Sequence, residues 1–240
     1  MGFSPHHFSE VFKLRDSEGQ PYVLIGGQAV NYWAEKYLSS EPELKALQPF
    51  TSKDIDFKGN RDDVQRIAKQ LDSSPGYPPK VAMTALAGII PIKIGGDESF
   101  IEVVRHIPGI SSSKETPAVE ARLQHKVIRL LDPVSLLVSK LELVATVSQA
   151  GRQDVQHLKI LVPCVRAFLR EVLQEVETDE LPARDWLNLV NQVLKQTTSR
   201  RALKIGHKYQ INWSAILPLA AIAQSKDKKI QRFHKLQLQQ

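Results

Sequence analysis

The sequence predicts an α+β fold, in which an N-terminal mixed sheet with helices is followed by a helical C-terminal unit. Up to about residue 115, short apolar runs alternate with segments of helical periodicity. Beyond about residue 130, helical segments follow one another directly. The polar stretch SSSKETPA (111–118) is a candidate linker, so we predict one domain at residues 1–115 and a second at 116–240.

The first predicted elements are a buried strand and a helix. The apolar run YVLIGG (22–27) ends in two glycines, which is typical of a strand that leads into a tight turn. The next segment is a predicted helix, because four apolar residues fall at helical spacing: Ala29, Tyr32, Trp33 and Tyr37. Residues 39–52 are polar and contain proline, and we predict that they are mainly a connection.

A second strand, a helix and a hairpin complete the predicted N-terminal domain. The segment KDIDFKG (53–59) alternates polar and apolar residues, as a half-buried strand does. Asn60 is the predicted cap of a helix over 60–74. A strand that ends near Ile94, a turn over 95–98 and a returning strand over 100–107 form the predicted hairpin.

The C-terminal unit is predicted to be helical. One helix runs over 132–151, with Pro133 at its start and Gly151 at its end. Residues 155–178 form one helix, or two that are broken near Pro163. Two more apolar segments are predicted to be helical, 184–199 and 211–223, and the basic tail 225–240 is predicted to be partly disordered.

The sequence lacks the marks of several classes of protein. It has no apolar run that could span a membrane and no secretory signal, so we expect a cytoplasmic protein without a membrane partner. It contains no H-E-x-x-H, Walker loop, G-x-G-x-x-G or G-x-S-x-G, which disfavours zinc, P-loop, dinucleotide and hydrolase sites. The single cysteine, Cys164, lies in an apolar run and fits a core position better than a nucleophile.

Charge is distributed unevenly between the two halves of the chain. Residues 1–120 carry 13 Lys and Arg against 16 Asp and Glu, whereas residues 121–240 carry 19 against 10. The resulting net charges are −3 and +9. A basic C-terminal half indicates a polyanionic partner such as nucleic acid, although a solvated helical surface is the alternative.

Two aspartates on the second strand form the first candidate site. Residues i and i+2 of a strand point to the same face, so Asp54 and Asp56 are expected to lie side by side. Their like charges repel unless a cation compensates, and Mg²⁺ suits such oxygen ligands. Taken alone, the pair is also consistent with a turn or a solvated strand edge.

The glycine pair and a later glutamate extend this site. Gly26 and Gly27 stand between a strand and a helix, where backbone N–H groups can approach a phosphate closely. Glu102 lies in the apolar strand FIEVV, where a charge is costly without a role or a partner. It is therefore a candidate third ligand of a two-metal site, and an exposed position on an edge strand is the alternative.

The order of these features over residues 20–105 resembles the nucleotidyltransferase superfamily of the polymerase-beta type. Within it, TSKDIDF (51–57) is most similar to the AbiEii-type branch, which includes toxins of toxin–antitoxin and phage-defence systems. The segments PVSLL (133–137), KL (140–141) and RQDV (152–155) resemble the helix-borne lysine and the acidic motif of that branch. The resemblance implies a nucleotidyltransferase-like N-terminal sheet and an enzyme.

The resemblance also implies a role for each matching residue. Asp54, Asp56 and Glu102 would be the catalytic ligands of Mg²⁺ or Mn²⁺. The residues implied to bind the nucleotide are Gly26, Gly27, Ser52, Lys140 and Asp154. Without the resemblance, Lys140 would be a helix lysine that pairs with a neighbouring acid, and Asp154 would be a helix cap.

The chain departs from the family pattern at three points. The gap of 26 residues between Gly27 and Asp54 is long, His157 stands where a second acid is expected, and the third acid is Glu102. We therefore keep several hypotheses. The first is Mg²⁺-dependent transfer of a nucleoside monophosphate from an NTP to an acceptor hydroxyl, with RNA, such as a tRNA end, favoured by the basic half.

The resemblance alone implies a toxin role and an antitoxin protein as a partner. Two alternatives remain open at this point. One is a non-catalytic nucleotide-binding or RNA-binding protein that keeps the fold, and the other is a nucleotidyltransferase that acts on a small molecule.

Overall fold

The computed structural model describes residues 2–79, 81–111 and 116–238. The strands are β1 (Val23–Ile25), β2 (Ile55–Lys58), β3 (Leu86–Ile94), β4 (Asp97–Val104), β5 (Ala118–Leu123) and β6 (Lys126–Leu131). The α-helices are α1 (Gly26–Tyr37), α2 (Arg61–Gln70), α3 (Pro133–Thr146), α4 (Asp154–Glu177), α5 (Ala183–Thr197), α6 (Arg200–Tyr209), α7 (Leu219–Gln224) and α8 (Lys228–Phe233).

The six strands form one mixed sheet in the order β3-β4-β2-β1-β6-β5. Two neighbouring pairs are parallel, β1 with β6 and β2 with β4, and the other three are antiparallel. Helices α3 to α8 follow the sheet in the chain. The predicted α+β class is therefore confirmed.

The predicted elements of the N-terminal part are present. Strand β1 leads directly into α1, whose four predicted apolar residues are all buried. Asn60 caps α2, since its side chain accepts hydrogen bonds from the backbone N–H groups of Asp62 and Asp63. The hairpin of β3 and β4 turns through Gly95 and Gly96. The predicted connection 39–52 contains a short 3₁₀ helix, Pro42–Leu47.

Two strands were missed by the sequence reasoning. Strands β5 and β6 pair with each other, and β6 pairs with β1, so the sheet continues beyond the predicted domain boundary at residue 115. Residues 112–115 of the predicted linker lie outside the described residues, and Ala118, its last residue, already belongs to β5. The division of the chain into two domains stays a prediction.

The helices α3 and α4 differ from their predicted bounds in ways that matter for the site. Helix α3 ends at Thr146, not at Gly151, because Val147 is extended and the Gln149 side chain donates to the carbonyls of Leu143 and Val147. Gly151 has a φ of +71° in the turn that follows. Helix α4 is continuous through Pro163, which settles the open alternative in favour of one helix.

The basic tail is helical from Lys228 to Leu238, so the prediction of disorder is wrong for these residues. Helix α8 is capped by Asp227 and anchored by two buried residues, Ile230 and Phe233. Phe233 lies edge-on to Trp186 of α5, with ring centroids 6.5 Å apart. Over the described ranges, no helix combines the length and the apolar character needed to cross a membrane.

Candidate active site

The turn from β1 to α1 brings the backbone against a carboxylate. Antiparallel pairing of β1 with β2 places Ile25 opposite Asp56, and Gly26 follows with a φ of +66°. A Cβ atom on Gly26 would lie 2.6 Å from Asp56 Cγ and would overlap a carboxylate oxygen. The nearby backbone N–H of Gly27 acts to lower the pKa of the same carboxyl group. Glycine at position 26 is therefore a steric requirement of this site as well as a conformational one.

The second glycine lies against Ser52 and His157. A Cβ atom on Gly27 would overlap Ser52 Oγ and would lie 3.0 Å from His157 Cε1. Ser52 is buried, and its hydroxyl accepts a hydrogen bond of 3.2 Å from the Asn31 amide. Its backbone is fixed by two hydrogen bonds of 2.9 Å with Phe3. The predicted nucleotide-binding residue Ser52 is thus held rigidly beside the start of α1.

The three predicted acidic residues meet at the centre of the sheet. Asp54 immediately precedes β2, Asp56 lies within it, and parallel pairing with β4 places Glu102 opposite Asp56. Strand β4 lies between β3 and β2, so the alternative of Glu102 on an edge strand is wrong. All three side chains are half-buried.

Burial and mutual repulsion perturb these carboxylates. Burial, followed by the charges of Asp54 and Glu102, raises the pKa of Asp56 to about 8, against the opposing charge of Lys140. Burial and the charge of Asp54 also raise the pKa of Glu102. The cluster therefore favours a bound proton or a cation over three free negative charges.

A second pair of charged residues faces the acids from the helical half. Lys140 of α3 and Asp154 at the start of α4 are both buried, and Lys140 Nζ lies 2.7 Å from Asp154 Oδ1. Arg152 Nε lies 2.6 Å from the other carboxylate oxygen. Burial acts to raise the pKa of Asp154, but the charges and hydrogen bonds of Lys140 and Arg152 outweigh it and lower that pKa. The short turn after α3 makes this contact possible.

These residues line one polar cleft of about 350 Å³. Its lining includes seven of the eight predicted site residues, and Gly26 adjoins it through Asp56. The sequence reasoning did not assign a binding role to the five other residues of the lining: Lys53, Gly151, Arg152, Gln153 and His157. A larger apolar groove of about 620 Å³ over β3 and β4 contains none of the predicted residues, so we place the candidate site in the polar cleft.

The stability of the metal-free protein should depend on pH through Asp56. Its pKa is about 8 in the folded chain and about 4 in an unfolded chain. Between these values the folded chain holds a proton that the unfolded chain has lost, so the free energy of unfolding falls as pH rises. We expect urea denaturation to show a fall in the free energy of unfolding between pH 6.5 and 8 that Asp56→Asn reduces.

Two controls belong to this measurement. His157 titrates with the opposite sign, but its pKa of about 3 confines its contribution to pH values below about 6.5. At pH 8, saturating Mg²⁺ should raise the free energy of unfolding of the wild type, and should raise that of Asp56→Asn by less. An identical pH dependence in both proteins would contradict the assignment of the raised pKa to Asp56.

Comparisons with known proteins yield remote likenesses. No protein-family model matches the chain, and no curated protein matches its sequence. A crystal structure of an antigenic nucleotidyltransferase-like protein from Paracoccidioides brasiliensis matches with a TM-score of 0.45 and 13% identity, covering 90% of this chain and 99% of that one. JHP933 from Helicobacter pylori matches with a TM-score of 0.30 and 13% identity, over 80% and 94% of the two chains. Both TM-scores lie below 0.5, so neither likeness supports a function for this chain.

Proposed function

We propose that this protein is a nucleotidyltransferase that moves a nucleoside monophosphate from an NTP to an acceptor hydroxyl. One observation carries the proposal: a strand-to-helix turn with two required glycines packs directly on an acidic cluster, opposite a buried lysine. Helix N–H groups and Lys140 suit a polyphosphate, while the carboxylates suit the cations that accompany it. The AbiEii-type resemblance of the sequence supports the same activity.

The donor set of the cleft fits a divalent metal ion. Asp54, Asp56 and Glu102 offer hard oxygen ligands, and burial together with the charges of the other two raises the pKa of Asp56. Mg²⁺ or Mn²⁺ held by them would lower the pKa of the acceptor hydroxyl and neutralise charge on the triphosphate. Among the described residues, no three His, Cys, Asp or Glu side chains are grouped closely enough to hold a metal ion.

The protein groups in the cleft would then hold and orient the nucleotide. The start of α1 at Gly26 and Gly27 and the hydroxyl of Ser52 would bind phosphate oxygens, and Lys140 would neutralise them. Asp154 would keep Lys140 in position through their 2.7 Å contact. The acceptor hydroxyl would lose its proton to solvent as its oxygen bonds to the α-phosphorus. The bond between the α-phosphorus and the oxygen that bridges to the β-phosphate would break, and pyrophosphate would leave with that oxygen.

The distribution of charge supports RNA as the acceptor. Residues 186–240 contain ten Lys and Arg against one acid, whereas residues 121–185 contain nine of each. All ten basic side chains are exposed, and within the described chain only Arg201 has an acidic partner, Glu142. The surface of α6 and α8 is therefore rich in cations that are free to contact phosphates. A cytoplasmic setting suits an enzyme that uses NTP and RNA.

Neutralising part of this basic surface should weaken RNA binding in a salt-dependent way. We expect Lys204→Gln with Lys208→Gln on α6 to weaken RNA binding roughly tenfold and to lower the slope of log K against log salt by about 2. Filter binding at several salt concentrations measures both. Lys69→Gln with Lys93→Gln, two exposed lysines outside the basic surface, should leave the slope unchanged. An unchanged slope in the α6 variant would place the RNA elsewhere.

The proposed activity can be tested directly. Each α-labelled NTP is incubated with the protein, Mg²⁺ and total RNA, and we expect the label to enter RNA with release of pyrophosphate. Tight binding of NTP without pyrophosphate release would favour a non-catalytic binding protein. Turnover that is indifferent to added RNA and to salt would favour a small-molecule acceptor. The toxin role and an antitoxin partner rest on the resemblance of residues 51–57 and 133–155 alone, and growth arrest on expression tests them.

A further inference from the structure

His157 is a buried polar residue that lines the cleft and leaves one ring nitrogen without a hydrogen bond to any residue that the structure describes. It lies in the first turn of α4 with 4% of its surface exposed, and it lines the cleft beside Gly27 and Lys140. No hydrogen-bond partner for its Nδ1 atom exists among the described residues, although the atom is buried. A buried nitrogen without a hydrogen-bond partner destabilises the folded chain, so stability does not account for a histidine at this position.

The surroundings keep the ring uncharged. Burial and the charge of Lys140 lower the pKa of His157 to about 3, and Arg152 acts in the same direction. A neutral imidazole carries one N–H donor and one acceptor nitrogen. Its neighbours Lys140 and Arg152 share one carboxylate, Asp154, so one positive charge is left over and favours an anionic ligand in this part of the cleft. A neutral N–H donor at position 157 suits a phosphate oxygen, whereas the acid that the family pattern has at this position would repel it.

The ring also lies against the predicted phosphate cradle. Its Cε1 atom is 3.0 Å from the position that a Cβ on Gly27 would occupy, beside Ser52 Oγ. Two segments distant in sequence, the start of α1 and the start of α4, therefore meet at this residue. A ligand on the N–H groups of α1 would be a neighbour of the imidazole.

We propose that His157 binds the nucleotide by donating a hydrogen bond from Nδ1–H to its phosphate chain. The inference rests on the proposed function and deepens it, because it assigns a binding role at a position where the family pattern has an acid. Nδ1 is shielded in the ligand-free chain, so the proposal includes a turn of the ring towards the cleft when the nucleotide enters. The free energy lost by the unpaired nitrogen in the free protein is regained in the complex.

Stability and affinity should change in opposite directions when the nitrogen is removed. His157→Leu should leave the urea midpoint of the free protein unchanged or raise it, and should weaken NTP binding roughly tenfold in calorimetry. His157→Asn, which keeps an amide N–H near the Nδ1 position, should recover most of the affinity. Inorganic tripolyphosphate should show the same loss as NTP, whereas the corresponding nucleoside should bind all variants equally.

Several outcomes would overturn the inference and spare the proposed function. If the wild type binds and transfers NTP while His157→Leu binds it equally well, the ring has no role in binding. A lower urea midpoint with unchanged affinity for NTP would show that the ring acts only in packing. If His157→Leu lost as much affinity for the nucleoside as for NTP, the ring would contact the nucleoside and not the phosphates. His125→Leu, the same change at an exposed turn, should alter neither quantity. If the wild type binds no NTP, the proposed function itself fails.

Discussion

Asp56→Ala is expected to abolish transfer of label from NTP to RNA, with a loss of about a thousandfold or more. The reason is the position of the carboxylate. It lies opposite Glu102 on β4, two residues from Asp54, and directly against Gly26, where an added Cβ would overlap it. Its loss therefore removes the residue that joins the acidic cluster to the phosphate-binding turn. Single-turnover labelling with Mg²⁺ measures the effect.

Unfolding is not expected to explain this loss of activity. Burial and the like charges of Asp54 and Glu102 raise the pKa of Asp56 to about 8, so removal of its carboxylate relieves an unfavourable charge in the folded chain. We expect the urea midpoint at pH 8 to stay the same or to rise. Asp97→Ala, the same change at an exposed residue of the hairpin, should retain full activity. Equal labelling by the wild type and Asp56→Ala would refute the acidic site.

Local sequence patterns predicted the elements that carry the site, but not the contacts between them. The order of strand, two glycines and helix follows from the apolar run and the turn residues, and the alternation around Ile55 places Asp56 on a strand. The contact between Gly26 and Asp56 was not predictable in the same way. It depends on the pairing of β1 with β2, which places Ile25 opposite Asp56. The two residues are far apart in the sequence, so a local sequence pattern does not reveal this register.

The missed elements lacked clear local signals. Strand β5 lies at a sheet edge, where Glu120 and Arg122 alternate with apolar residues of which only Leu123 is fully buried. Its turn to β6 has no glycine or proline but places Gln124 at a φ of +55°. Such a turn conforms to no strong hairpin pattern. Predicting the Lys140–Asp154 pair required the end of α3 at Thr146, which allows the chain to return within eight residues. The early end depends on a side chain that caps the helix.

Gly26→Ala is the second change for which we expect a large effect. The residue has a φ of +66°, so alanine there costs about 1–2 kcal/mol through the backbone alone. Its Cβ would also overlap the Asp56 carboxylate, and Asp56 would have to leave its place opposite Glu102. We expect a loss of label transfer close to that of Asp56→Ala, together with weaker NTP binding because the turn itself shifts.

Gly95 provides a matched control for the backbone cost. It has a φ of +59° in the hairpin turn, and a Cβ added there would meet nothing within 4 Å. Gly95→Ala should therefore lower the free energy of unfolding by a similar 1–2 kcal/mol and keep full activity. The difference in activity between the two alanine variants then measures the displacement of Asp56. If both variants keep the same activity at equal stability, the close approach of the turn to Asp56 has no part in function, and the proposed site loses its central contact.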